Sequence, residues 1–309
     1  MRRLALAATC LVASLTTAQA EPFSFTALGD MPYGRPEVVF EPFKALIEEI
    51  NQRNPDLVIH VGDTMGGTPC SDEALDQQLA FLNTFSAPTL YTPGDNEWTD
   101  CHRSSSGGFD PVDRLAYIRA TYFADPATSL GQRQIPLEHQ GTDGYPENAR
   151  MTHKNVAFIT AHVVGSNNNF EIRDMSAVEE FFARNKANIE WLEESFTASS
   201  AAEAIVVAVH ADMFEFDFNE WKRERWLRHS GFGQFGDALR KQVRKFGKPV
   251  LLIFGDSHRH KVFRPFENTA PNVLAMEVFG YPSMDAVSVK VDTSLDQPFS
   301  FTPIVNPAL

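Results

Sequence analysis

Along the chain, apolar residues gather into short runs with little polar alternation. Four of these runs, FSFTALGD, DLVIHVGD, PTLYTPGD and PVLLIFGD, close on Gly-Asp at Asp30, Asp63, Asp95 and Asp256. A fifth, EAIVVAVH, closes on His210. Runs of this kind read as strands buried on both faces. They predict strands over 23–30, 57–62, 88–93, 155–164, 204–209 and 249–254. Between them the spacing turns helical: Val38, Val39, Phe43, Leu46, Ile47 and Ile50 mark a helix around 37–53. Further helices are predicted over 72–85, 111–122, within 176–197 and over 233–246. The segment 125–152 carries Pro, Gly and Gln without periodicity and reads as a long surface excursion. Past Asp256 the helical spacing stops, and 260–266, 273–280, 285–292 and 299–304 read as short strands of an antiparallel second sheet. The fold class is α/β: a four-layer αββα sandwich, two mixed sheets flanked by helices.

In such folds chemistry gathers at the carboxyl ends of the strands. A glycine there admits a sharp turn and lets backbone approach a ligand closely. Carboxylates collected on one rim repel one another unless a cation lies among them. The repeated Gly-Asp ending therefore points to a metal site.

Composition narrows the setting. Arg2 and Arg3 precede an apolar stretch from Leu4 to about Leu15, and Ala18-Gln19-Ala20 is a small-x-small cleavage site. Residues 1–20 thus read as a secretory signal peptide. Little beyond the arginine pair supports a twin-arginine route, and Cys10 lies too early, inside the apolar stretch, for a lipoprotein. No later stretch reaches the roughly 18 apolar residues that span a bilayer. Residues 21–309 are expected as one exported domain, periplasmic or extracellular, acting as a monomer or small oligomer. The formal charge is -13, and cleavage would remove two arginines more. That balance argues against nucleic acid as a tight partner, since phosphate backbones reward basic patches. Cys70 and Cys101 each follow a Gly-Asp strand end by a few residues. In an oxidising compartment they read as a disulfide bracing the loops around the site, and the lone pair lacks the spacing of a zinc cluster.

The succession Gly-Asp, Gly-Asp, Gly-Asp-Asn-Glu, Val-x-x-His and Gly-x-x-His resembles the calcineurin-like metallophosphoesterases over roughly residues 23–266. Their pattern is D-x-H or D-x-G, then G-D, G-N-H-D/E, a lone His, and G-H-x-H. The resemblance implies a metal-dependent phosphoesterase that hydrolyses phosphomono- or phosphodiesters of small substrates through a metal-bound hydroxide. It also implies a ligand set. Asp63 matches the carboxylate that bridges both ions, Asp30 and His258 match ligands of the first ion, and His210 and Asp95 belong with the second. Asp256 stands where a second-ion histidine is usual.

The departures have a direction. Pro32 takes the place of a histidine in the first motif, Asp95 that of an asparagine, and Asp256 that of a histidine. The site becomes poor in imidazole and rich in hard oxygen, which suits one or two divalent ions of the Mn type, with Mg, Ca, Fe or Zn as alternatives. A slip of one residue would make Asn96 rather than Asp95 the ligand, and a shift of two would pair His258 with His260. Tyr33 is a phenolate candidate, although the tyrosine ligand of purple acid phosphatases comes from the second motif. Asn96 replaces the histidine that orients or protonates the leaving group. His102, on the same loop, is the candidate general acid, its alternative being a solvated loop histidine. Arg103, Arg259 and Lys261 are candidate phosphate contacts or plain surface cations, and His162 a strand-end histidine. Asn167-Asn168-Asn169 reads as a turn. The aromatic and charged segment 212–230 reads as a lid or substrate wall, or else as a packed surface loop. The rival to catalysis is a secreted metal- or ligand-binding protein with a diverged site. Ligand-capable Asp at both changed positions favours a rebuilt site over a decayed one.

Overall fold

Successive side chains of a strand face opposite sides of the sheet, and each central strand here divides its apolar residues between two cores. The computed structural model describes residues 21–214 and 230–309. In β7 (Ala204–Ala208), Ile205 and Val207 face one cluster, while Ala204, Val206 and Ala208 face another. The first cluster also takes Trp191 and Leu192 of the helix Met175–Ala198 and Leu239 and Val243 of the helix Gly233–Phe246. The second is formed between two sheets, with Phe25, Ile59, Phe158, Leu251 and Val289 among its buried members. A third cluster joins the outer face of the smaller sheet to Leu46, Ile50, Leu75, Phe81 and Ile118. Those residues come from α1 (Pro36–Arg53), α2 (Asp72–Leu82) and α3 (Pro111–Thr121). Numbering the two helices of the first cluster α4 and α5, the layers run α1–α3, five strands, seven strands, α4–α5.

The smaller sheet has the order β12-β11-β1-β2-β3. It is built from β1 (Phe23–Leu28), β2 (Leu57–His60), β3 (Thr89–Tyr91), β11 (Ala286–Val291) and β12 (Phe299–Ile304). Strands β1, β2 and β3 are parallel, and β11 and β12 close the edge antiparallel. The larger sheet has the order β4-β5-β6-β7-β8-β10-β9, with β6, β7, β8 and β10 parallel. Its members besides β7 are β4 (Glu138–Gln140), β5 (Tyr145–His153), β6 (Val156–Thr160), β8 (Val250–Phe254), β9 (Lys261–Phe263) and β10 (Val273–Glu277).

Two expectations are corrected. The last four strands do not form a sheet of their own: β9 and β10 extend the larger sheet, whereas β11 and β12 extend the smaller. Each pair covers an otherwise open strand, β10 lying against β8 and β11 against β1. Nor is 125–152 all excursion, because Tyr145–His153 is a nine-residue strand paired with β6. Its burial does not alternate cleanly, which hid the strand-like period.

Cys70 and Cys101 form a disulfide, with Cα atoms 5.7 Å apart. Both sulfurs pack near the Asn96 carbonyl oxygen, at 3.4 and 3.5 Å, so the bridge ties the loop after β2 to the loop after β3. Among the described residues no helix is long and apolar enough to cross a membrane. The signal-peptide reading of 1–20 lies outside the described residues, as does residues 215–229 of the lid reading.

Candidate metal centre

The parallel strands of both sheets end on a common rim, and there the chain turns sharply. Asp30, Asp63 and Asp256 have φ of 56°, 53° and 80°, in the left-handed region that Asp tolerates better than most residues. The glycines beside them make room for one another's carboxylates. A Cβ on Gly94 would lie 2.0 Å from Asp63 Oδ1, and one on Gly255 would lie 2.3 Å from Asp30 Oδ2. The Gly of one strand end is thus the floor beneath the Asp of another.

Two clusters result. Asp30, Asp63 and His210 offer ligand atoms all within 4.8 Å of one another, and so do Asp95, His210 and Asp256. His210 is shared, its Nε2 lying 3.1 Å from Asp95 Oδ1 and 3.3 Å from Asp63 Oδ1. Its Nδ1–H donates to the Val61 carbonyl at 2.8 Å, which fixes the ring and aims Nε2 at the carboxylates. His258 stands beside the first cluster, Nε2 3.8 Å from Asp30 Oδ1, and its Nδ1 is fixed on the Tyr281 carbonyl at 2.8 Å. The Asn96 amide reaches Asp63 Oδ2 at 2.8 Å and the Tyr33 hydroxyl at 2.7 Å, and Tyr33 itself donates to Asp63 Oδ2.

The donor set fits a hard cation. Asp30 is wholly buried and its Oδ1 accepts from the Asp256 N–H at 2.9 Å, yet among the described residues its Oδ2 has no hydrogen-bond partner. A buried carboxylate oxygen left unsatisfied is costly, and oxygen ligands with one imidazole suit divalent ions of the Mg, Ca or Mn kind.

Other candidates are placed apart from the clusters. His102 has Nδ1 2.6 Å from the Thr99 carbonyl and lines a neighbouring cleft of about 570 Å³ with Asp100, Arg103 and Ser166. Arg103 pairs with Asp100 at 2.6 Å. His162 is buried against Glu147 at 2.8 Å, and burial, against the pull of that carboxylate, lowers its pKa to about 4. His260 is held by the Glu277 carbonyl and stacks on Phe279. The exposed Arg259 contributes its backbone N–H to Glu277. Lys261 pairs with Asp212 at 2.6 Å and with Glu277 at 2.8 Å.

Three features were not anticipated. Glu97, in the third motif, accepts five hydrogen bonds beneath the centre. The Lys261 network supports the Asp256 loop, since Ser257 Oγ lies 2.9 Å from Asp212 Oδ2 and 2.8 Å from Glu277 Oε1, and the Asp212 N–H reaches Asp256 Oδ2 at 3.2 Å. Ser166 donates onto Asp95. Glu97 closes the third motif and Asp212 follows His210 by two residues, so both could have been suspected; Ser166 only precedes the Asn167-Asn168-Asn169 turn signal.

The electrostatics set a pH dependence. Burial pushes the Asp30 carboxyl up from 3.8 to about 8, against the pull of His210, and raises Asp63 as well. Burial opposes the His210 imidazolium, but Asp63 and Asp95 outweigh it and raise its pKa well above 6.5. The folded metal-free protein therefore holds more protons than the unfolded chain at Asp30 between about pH 4 and 8, and at His210 above about pH 6.5, and both groups make stability fall as pH rises through these ranges. Asp95, held down at about 2 by His210 and Ser166 despite burial, acts with opposite sign but only below about pH 4. Metal ions displace these protons. His60, lowered to about 3 by burial, and His162 act with opposite sign up to about pH 6.5, so melting temperatures in chelator should fall from about pH 6.5 to 9, and the rise produced by Mn²⁺ should grow over the same interval. A chelated protein that gains stability across it would contradict the assignment.

The family model of the calcineurin-like phosphoesterase matches residues 23–260. No curated protein matches the chain in sequence. Among solved structures, a carbon-nitrogen hydrolase from Helicobacter pylori G27 aligns over 94% of this chain and 91% of its own at 10% identity. Its TM-score of 0.35 is too low for it to bear on fold or chemistry.

Proposed function

The chain belongs to the calcineurin-like phosphoesterase family, whose members bind divalent metals and act on phosphate esters, and we propose that it is an exported phosphoesterase with an acid-rich metal centre. The observation that carries the reading is the buried Asp30 Oδ2, without a hydrogen-bond partner among the described residues, inside a group of four aspartates and a shared histidine. Asp30, Asp63 and His258 would hold one ion, and Asp63, Asp95, His210 and Asp256 the other. Ions bound there would polarise the phosphoryl oxygens and lower the pKa of a coordinated water.

The chain's own residues do the rest. Asn96 N–H and Nδ2 pin both oxygens of Asp63, at 3.0 and 2.8 Å. The Nδ1 bonds of His210 and His258 to carbonyls set the direction of each Nε2. Asn96 stands where the family has an imidazole, and its two Nδ2 hydrogens go to Asp63 Oδ2 and the Tyr33 hydroxyl, so its part is to hold Asp63 in place. His102 lines the adjoining cleft, so its role as proton donor extends only to a leaving group that reaches into that cleft. Domain boundaries of 21–309 behind a cleaved leader belong to the same proposal, and the Cys70–Cys101 disulfide supports export. A surplus of carboxylates repels a doubly charged monoester more than a singly charged diester, and it favours Mn over Zn.

The test is to strip the protein, reload it with Mn²⁺, Mg²⁺, Ca²⁺ or Zn²⁺, and assay p-nitrophenyl phosphate beside bis(p-nitrophenyl) phosphate. Turnover should require metal, be greatest with Mn²⁺, and be greater on the diester. Metal uptake without turnover on either ester would leave the non-catalytic binding reading.

A further inference from the structure

The run Ser166-Asn167-Asn168-Asn169 lies against the metal centre in an unusual conformation. Its φ angles are 48°, 55°, 58° and 60°, four left-handed residues in succession, where L-residues normally adopt this region singly. Backbone held in such a region persists only when its surroundings over-determine it, and such places cluster at functional sites. Here they do. Arg184, fully buried, donates from Nη1 to Asn168 Oδ1 at 2.6 Å and from Nη2 to the Asn168 carbonyl at 3.0 Å. Asn168 Nδ2 donates to the Gly231 carbonyl at 3.1 Å, Gly231 N–H to Asn167 Oδ1 at 2.8 Å, and Asn169 Nδ2 to Glu180 at 2.8 Å.

What the turn presents to the centre is Gly165 and Ser166. A Cβ on Gly165 would meet Asp256 Oδ1 at 2.7 Å and Asp95 Oδ2 at 2.8 Å, so the backbone is wedged against both carboxylates. Ser166 Oγ lies 2.8 Å from Asp95 Oδ2 and 2.8 Å from Asp100 Oδ1. A hydroxyl has one hydrogen to give. The Arg103 guanidinium compensates the charge of Asp100 at 2.6 Å, on its other oxygen Oδ2, and the hydroxyl hydrogen is therefore assigned to Asp95 Oδ2. With Oδ2 so held, Asp95 turns Oδ1 toward His210 Nε2 at 3.1 Å.

We propose that Ser166 is a positioning residue that fixes which oxygen of Asp95 faces the cation, and that the left-handed turn exists to deliver its hydroxyl there. The inference rests on the metal-centre reading. Loss of a hydrogen bond that orients a ligand typically weakens metal affinity about 10- to 100-fold. Mn²⁺ is titrated calorimetrically into stripped wild-type protein, Ser166→Ala and Ser166→Gly, with a melting curve for each. Gly is at ease at positive φ, so Ser166→Gly should melt no lower than wild type. Both variants should nonetheless bind Mn²⁺ about 10- to 100-fold more weakly in one step, the other being unaltered. Wild-type affinity in Ser166→Gly would overturn the inference, for it would show that the serine serves only the shape of the turn. A wild-type protein that takes up no Mn²⁺ would overturn the metal centre as well, which separates the two failures.

Discussion

Asp63→Asn should lower the proposed metal-dependent phosphoesterase turnover by about 10³-fold, while the metal-free melting temperature should move by only a few degrees. Asp63 lies in the first cluster, and its Oδ1 is 3.3 Å from His210 Nε2, the atom both clusters share. In the proposed arrangement it would serve both ions, and removing its charge would weaken the hold on each. Metal ions supply several kcal/mol of transition-state stabilisation, and about 1.4 kcal/mol is tenfold in rate, so losing roughly 4 kcal/mol gives the stated factor. Stability responds differently. Asn keeps the volume of Asp, and Asp63 is buried among like charges that raise its pKa after burial itself. Neutralising it relieves that repulsion while depriving His210 of one partner, and the two effects oppose each other. Steady-state assays in saturating Mn²⁺ and melts in chelator measure both quantities. Activity within tenfold of wild type would show that the chemistry does not pass through this cluster.

How much of this could be read before the structure depended on whether the signal was local. The five strand ends were legible because parallel strands buried on both faces leave continuous apolar runs, and Gly-Asp marks the places where backbone and carboxylate come together. The partition of the last four strands was not legible. Val273–Glu277 and Ala286–Val291 look alike as sequences, and only the open flanks of β8 and β1 decide which sheet each joins. Tyr145–His153 escaped for a related reason: partial burial at the side of the sheet blurs the two-residue period. Within the site, Asp30, Asp63, Asp95, His210 and Asp256 announced themselves by chemistry and position, and the structure brings them together. The supporting residues did not, because their value lies in distant partners. Ser166 finds Asp95 across 71 positions and Lys261 finds Asp212 across 49, separations at which no periodicity speaks. The asparagine run was the one readable hint, since Asn is among the few residues that enter the left-handed region, but its composition said turn and no more.

Glu97 gives the largest expected effect on stability. Its side chain is fully buried, and five donors converge on it. Oε1 receives Thr64 N–H at 2.6 Å, the Thr64 hydroxyl at 2.9 Å and the Tyr91 hydroxyl at 3.1 Å. Oε2 receives Gly94 N–H at 3.0 Å and Asp63 N–H at 3.2 Å. Three of these are backbone groups of the two loops that carry Asp63 and Asp95, so one carboxylate holds both loops in register. Each buried donor left unpaired costs about 1–3 kcal/mol. Water entering the vacated space would recover part, and a net loss near 5 kcal/mol is expected for Glu97→Ala. In a domain this large each kcal/mol is worth roughly 2 °C, so the melting temperature should drop by about 10 °C. Glu97→Gln separates shape from hydrogen bonding. Its amide oxygen can serve the three donors at the Oε1 position, but its NH₂ then confronts the Gly94 and Asp63 N–H groups. About half the loss should remain, near 5 °C. Mn²⁺ affinity should fall in the same order although Glu97 touches neither cluster, because the Asp63 backbone loses its anchor. A Glu97→Ala protein melting within about 3 °C of wild type would mean that the five donors find partners elsewhere, and that the loops are held by the disulfide and the sheets alone.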